Sequence, residues 1–268
     1  MTTPINFQDV IFQAGAHKCD VLKMLPITHI PKHSSLTRIN KDRHLLPQKD
    51  SKHYENEELL FFYYGKAKYI PGHKKNLKND PFPPIVFVFD FENISSLEKA
   101  LITPKRFLPF DSGGFDKYDI EEEFTPQHFE FVDPLPADIL KLVVTLFDNT
   151  ENYLQNNHIF KDLVTANLLI PEIDQLHRLY DKMENEPSEI DDRAKSFEVH
   201  FNQIIKLEPI LILYPSSYKT TPTGESQMEA MYPGIKKLPY SNHKNPYTNL
   251  ERINETLVNY FNSESQRP

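Results

Sequence analysis

The chain has 268 residues and a formal net charge of −8, which excludes a uniformly basic surface for non-specific nucleic-acid binding but leaves room for a local basic patch. Hydrophobic residues make up 39% and aromatics 12%, enough for a packed core and unlike a disordered chain. The single cysteine, Cys19, rules out an intrachain disulfide and a cysteine-built zinc cage, and it predicts a reducing compartment, the cytoplasm.

Residues 1–23 are weakly patterned and lack the basic start and apolar run of a secretion signal. Residues 24–30 predict a first strand, and 34–41 a short helix capped by Ser34 or Ser35. The charged stretch 49–58 reads as a loop, Leu59 to Tyr64 as a buried strand closed by Gly65, and 72–84 as a Lys-, Asn- and Pro-rich loop. Ile85-Val86-Phe87-Val88-Phe89-Asp90-Phe91 is the plainest strand, apolar enough to be covered on both faces. A short capped helix is predicted at 95–102, then a return toward the sheet at 105–115 that ends in an Asp-Ser-Gly-Gly turn. Helices follow at 136–156 and 164–185, the second broken at Pro171.

A charged linker at 186–192 precedes two strands, 196–201 and 210–214, which are expected to pair with each other. Residues 219–247 read as irregular loop and 250–261 as a final amphipathic helix. No stretch approaches the roughly 20 apolar residues that span a bilayer, so no membrane partner is expected. Strands and helices mix without strict βαβ alternation. The expectation is one α+β domain over 1–268, with a mixed or mostly antiparallel sheet flanked by helices.

Familiar catalytic signatures are missing. There is no GxGxxG or Walker-type phosphate loop, no HExxH and no GxSxG. His29 and His33 have helical spacing, but Pro31 between them argues against one metal-binding helix face. Cys19 lies near His17 without a partner pattern for a thiol nucleophile.

Three polar constellations sit on or beside apolar strands and together point to a cleft. In Tyr63-Tyr64-Gly65-Lys66-Ala67-Lys68-Tyr69, aromatic faces meet two cations at a strand end. The tyrosines either pack in the core or stack on a planar ring, and the lysines can meet phosphate or carboxylate. In Asp111-Ser112-Gly113-Gly114, backbone N–H groups stand clear of bulky side chains, to hold a ligand or simply to turn the chain. The third runs from Asp191-Asp192-Arg193 into Ser196-Phe197-Glu198-Val199-His200-Phe201. Alternation puts Phe197, Val199 and Phe201 on one face and Ser196, Glu198 and His200 on the other. Glu198 is then either a solvated strand residue, paired with Arg193, or a catalytic carboxylate.

This ordered set resembles an uncharacterised bacterial family with a Phe-Tyr-Gly-Arg-Pro-Ala-Tyr element, a Pro-Val-x-Phe-Val-Phe strand, Pro-Phe-Asp-Ser-Gly-Ala-Phe, and Asp-Asp-Arg leading to Glu-Val/Ile-Gln. The likeness covers roughly residues 24–218 and departs at Lys66, Ala67, Lys68 and His200. More distantly, the chain resembles ADP-ribosyltransferases of the DNA-modifying toxin type, through Leu25-Pro26-Ile27-Thr28-His29-Ile30 and the late strand with Glu198. That resemblance implies NAD as substrate and Glu198 as the catalytic carboxylate. Thr28 or His29 would bond a ribose, and Tyr63, Tyr64 or Tyr69 would pack on nicotinamide. Lys66, Lys68 or Arg193 would meet the pyrophosphate, with Asp111, Ser112 and Gly113 as a further ligand-holding turn. The acceptor would be a nucleic acid or a protein.

Two other readings compete. One is a non-catalytic ligand- or protein-binding domain on the same scaffold. The other is a metal-dependent nucleic-acid-processing protein, using Lys66, Lys68, Lys74, Lys75 and Lys78 among tyrosines, with Asp111, Asp192 and Glu198 as metal ligands.

Overall fold

The structure, a computed structural model, describes residues 7–15, 22–49, 53–55, 57–68, 83–115, 123–159, 170–185, 195–219 and 222–265. In chain order its elements are α1 (Phe7–Gly15), β1 (Ile27–His29), α2 (Leu36–Asp42), β2 (His44–Leu45), β3 (Gln48–Lys49), β4 (Glu58–Tyr64), β5 (Val86–Phe89) and β6 (Arg106–Leu108). Then come α3 (Ser112–Phe115), β7 (Phe131–Val132), α4 (Pro136–Phe147), α5 (Thr150–Leu154), α6 (Pro171–Asn185) and β8 (Glu198–Phe201). The last are β9 (Ile205–Lys206), β10 (Leu211–Pro215), α7 (Pro222–Met231), β11 (Lys236–Tyr240) and α8 (Pro246–Ser265). The class is α+β, and among the described strand pairs only β10–β11 is parallel. Among the described residues, no helix is long and apolar enough to cross a membrane.

The chain forms two compact units from interleaved segments. The first comprises Met1–Met24, Gln48–Phe61 and Thr103–Asn202; the second comprises Leu25–Pro47, Phe62–Ile102 and Gln203–Pro268. β4 belongs to both, with Glu58 to Phe61 in the first unit and Phe62 to Tyr64 in the second.

In the first unit the strand order is β4-β8-β6-β7, with β3 also on β4. β8 lies antiparallel to β6, with Arg106 opposite His200, Phe107 opposite Val199 and Leu108 opposite Glu198. Phe107 is buried and stacks on Phe131 of β7 at 4.4 Å. α1 packs on α4, and its Phe7, Val10 and Ile11 are buried as an i, i+3, i+4 stripe, with Phe7 against Phe129 and Phe131. The Thr145 hydroxyl donates to the Ile11 carbonyl at 3.0 Å. The expectation of one helix over 136–156 needs correction: Asp148 takes a positive φ of 68° and ends α4. Asn149 then caps α5 by accepting from the Asn152 amide at 2.8 Å. The expectation of weak patterning in 1–23 is corrected over 7–15, where the buried stripe of α1 has helical period.

In the second unit the order is β11-β10-β5-β1-β4. Thr28 lies opposite Tyr63 on one side and Val88 on the other. The apolar run of β5 is buried throughout, as its composition predicts. Three expectations fail here. The stretch 95–102 is no helix: Ser95 bridges Leu101, Ser96 bridges Ile205, and the turn closes through Lys99 at a φ of 64°. Strands 196–201 and 210–214 do not pair with each other, because β6 takes β8 while β5 and β11 take β10. Residues 219–247 hold α7 and β11. Their prolines are compatible with both elements: Pro222 stands at a helix start, and Pro239 sits in a strand at the end of the order. Ser35 flanks α2 as anticipated but makes no side-chain cap hydrogen bond. The expected linker 186–192, the helix portion 164–169 and most of the 72–84 loop lie outside the described residues.

Truncating Phe107 to Ala removes the ring that joins β6 to β7 in the first unit. It is expected to destabilise the fold by about 3–5 kcal/mol, read as a lowered denaturation midpoint.

Candidate functional site

Both faces of the strand carrying Glu198 are covered. Ser196, Phe197, Val199, His200 and Phe201 are fully buried, and Glu198 is 1% exposed. The solvated-face reading of Glu198 is therefore corrected. Its outer row faces protein, and the expected partner Arg193 lies outside the described residues.

Glu198 is held by three donor positions. The Ser112 hydroxyl donates to Oε1 at 2.9 Å, the Ser112 amide donates to Oε2 at 3.3 Å, and His200 Nε2 bonds Oε1. Ser112 reaches Glu198 because β6 brings Leu108 opposite it and the chain then turns at Asp111. The Asp111 side chain accepts from the Gly113 amide at 2.7 Å, and its carbonyl accepts from the Phe115 amide at 3.2 Å. Asp111 thus caps the single helical turn α3, and the Asp-Ser-Gly-Gly motif serves to aim Ser112.

His200 is wedged between aromatic rings, edge-on to Phe61 at 4.7 Å and to Tyr54 at 5.3 Å. The Arg106 guanidinium lies 4.2 Å from the Tyr54 ring centre. Arg106 Nη2 also donates to both carboxylate oxygens of Glu57, each at 2.8 Å, and Nη1 approaches Glu130 at 3.5 Å. Burial, with the negative charges of Glu130 and Glu198, pushes the Tyr54 hydroxyl well above the ordinary tyrosine range.

The second unit holds another group of the sequence-selected residues. Thr28 is buried, and its hydroxyl donates to the Lys66 carbonyl. The Tyr64 hydroxyl accepts from the Leu25 amide at 3.0 Å, and full burial raises it far above its ordinary value. It is committed to the core. Gly65 takes a φ of 62°, which lets its amide reach the Pro26 carbonyl at 2.8 Å. Asn254 clasps the Ala67 backbone from both sides, accepting from its amide at 2.8 Å and donating to its carbonyl at 3.3 Å. The flanking Lys66 and Lys68 are 3% and 2% exposed, so neither presents its ammonium on an open basic surface. Tyr63 is half-buried, and the His29 ring lies 5.1 Å from Phe62. Tyr69, Lys74, Lys75, Lys78 and Asp192 lie outside the described residues.

The first unit therefore joins Glu198, Asp111, Ser112 and Gly113, and the second joins Thr28, Tyr63 and Lys66. Tyr54, Arg106 and Phe61 were missed as neighbours of His200. They lie far from His200 in sequence and form no motif with it. Among the described residues, no group of three or more His, Cys, Asp or Glu is placed to hold a metal ion. A crevice of about 130 Å³ in the second unit lies among Asp90, Asn93, Ser95, Lys206 and Glu208, away from every selected residue. Its polar groups bond one another: Asp90 with Asn93, Ser95 with Glu208, and Lys206 with Glu208.

No protein-family model, curated protein or solved structure matches this chain.

Burial raises the hydroxyls of Tyr54, Tyr64 and Tyr180 above their value in an unfolded chain. The native state therefore keeps protons that the unfolded state releases above pH of about 10. Stability from these groups is complete below that pH and declines as pH rises through and beyond it. Phenolate absorbance during alkaline titration is expected to show a late fraction that appears together with loss of tertiary signal. Separately, Arg106→Leu leaves half-buried Glu130 without its cation, and an unfolding free energy lower by about 1–3 kcal/mol is expected.

Proposed function

We propose that the chain is an NAD-consuming enzyme, an ADP-ribosyltransferase or NAD glycohydrolase, with Glu198 as its catalytic carboxylate. The observation that carries this reading is the way Ser112 holds Glu198. A buried carboxylate fixed by a hydroxyl and an amide from a capped turn is preorganised, and its charge acts with little screening. The chemistry needs little more. As the bond from ribose C1′ to the nicotinamide nitrogen breaks, its electron pair leaves with nicotinamide and positive character develops across C1′ and the ring oxygen. The Glu198 carboxylate stabilises that charge and accepts a hydrogen bond from the 2′-hydroxyl. Water, or an acceptor group on a nucleic acid or protein, then bonds C1′ and gives up a proton.

A second reading draws on the burial of Glu198. A carboxylate only 1% exposed, with both oxygens bonded, also suits a polar pin inside a non-catalytic binding domain.

The deciding experiment follows nicotinamide release from NAD by purified protein, alone and with cell lysate or nucleic acid, beside Glu198→Gln. The enzyme reading expects release that falls by about 100-fold or more in the variant while its melting temperature stays close to wild type. Absence of release and of NAD binding in every condition would leave the pin.

A further inference from the structure

We infer that His200 is a neutral, Nε2-protonated positioning residue that fills Oε1 of Glu198 and so leaves Oε2 as the oxygen that faces a reacting partner. The role assigned to Oε2 rests on the enzyme reading of Glu198. The protonation state of His200 does not.

The argument begins with acceptor capacity. Each carboxylate oxygen offers two lone-pair directions. Oε1 receives both the Ser112 hydroxyl, at 2.9 Å, and His200 Nε2. Among the described residues, Oε2 receives only the Ser112 amide, at a long 3.3 Å. The two oxygens of one side chain are therefore unequal, with one saturated and the other keeping an acceptor direction. A hydroxyl donor such as a ribose 2′-OH finds capacity only at Oε2.

The imidazole must then be a donor, because a carboxylate can only accept. That puts a proton on Nε2. The other nitrogen, Nδ1, is buried and has no hydrogen-bond partner among the described residues. A proton there would create a buried N–H donor with nothing to bond, on a cationic ring enclosed edge-on by Phe61 and Tyr54. A bare Nδ1 between those rings avoids both penalties. The aromatic slot thereby selects one tautomer, and the tautomer fixes the carboxylate.

His200 acts through Glu198, so its removal should lower turnover without weakening substrate binding. Two variants separate the hydrogen bond from the packing. His200→Phe keeps an aromatic ring in the slot and removes the donor; His200→Gln restores an N–H donor at the same reach on a flexible, non-aromatic chain. For nicotinamide release, His200→Phe is expected to lower kcat by about 10–100-fold, the loss of one hydrogen bond to a charged group, with KM changed less than about twofold. His200→Gln should recover most of that loss. Imidazole 15N NMR of the wild-type protein at neutral pH, with His200 assigned by difference against His200→Phe, should show a protonated Nε2 and a bare Nδ1. A proton on Nδ1, alone or with Nε2, overturns the inference, as does full kcat in a folded His200→Phe or a loss confined to KM. If the wild type releases no nicotinamide, the enzyme reading fails, and the nitrogen spectrum still decides the state of His200.

Discussion

A carboxylate taken out of water must find donors inside the protein, and the first unit is arranged around that requirement at Glu198. Register supplies the start: β6 lies antiparallel to β8 with Leu108 opposite Glu198, so the chain leaving β6 emerges beside the carboxylate. The Tyr180 hydroxyl of α6 donates to the Pro109 carbonyl at 2.6 Å and fixes that exit. Asp111 then caps a single turn and delivers the hydroxyl and amide of Ser112. On the strand's approach, the Phe197 amide is held by the Tyr153 hydroxyl at 3.1 Å. Each of these contacts is ordinary alone. Together they place one oxygen of Glu198 against two donors and the other against one.

Charge is arranged around the same strand pair. Arg106, the register partner of His200, brings a buried cation between Glu57, Glu130 and the face of Tyr54. The bonds from Nη2 to both Glu57 oxygens satisfy part of the guanidinium, and its contact with Tyr54 holds the ring that walls His200. Ion pairing and aromatic packing thus meet at one histidine. Breaking either removes support from the slot that confines the imidazole.

The second unit shows how a suggestive motif can be used for architecture. Tyr64 and Thr28 spend their hydroxyls on backbone groups, and Gly65 supplies the left-handed conformation that turns the chain back to Pro26. Asn254 reads the backbone of Ala67 rather than its side chain, which sets the path on which Lys66 and Lys68 sit. Residues of this type attract attention in a sequence because they can bind ligands. The same donors and acceptors serve to close a buried strand end.

The sequence by itself determined the elements whose signal is local. The unbroken apolar run of β5, the strand through Leu59 to Tyr64, the amphipathic C-terminal helix and the alternation of Ser196, Glu198 and His200 all follow from side-chain period along a few residues. It also singled out Asp111 to Gly113 and Glu198, because polar residues and glycines beside apolar strands stand out in one dimension. Local signals misled where pairing decided: Ser95 to Leu101 looks helical but is bridged, and the prolines around β11 look like loop but suit an end strand. Only the tertiary structure brought Ser112 to Glu198 across 86 residues, paired β8 with β6, and set Tyr54, Phe61 and Arg106 around His200. The physical reason is that register and burial arise from contacts between distant segments, which no periodicity within either segment encodes.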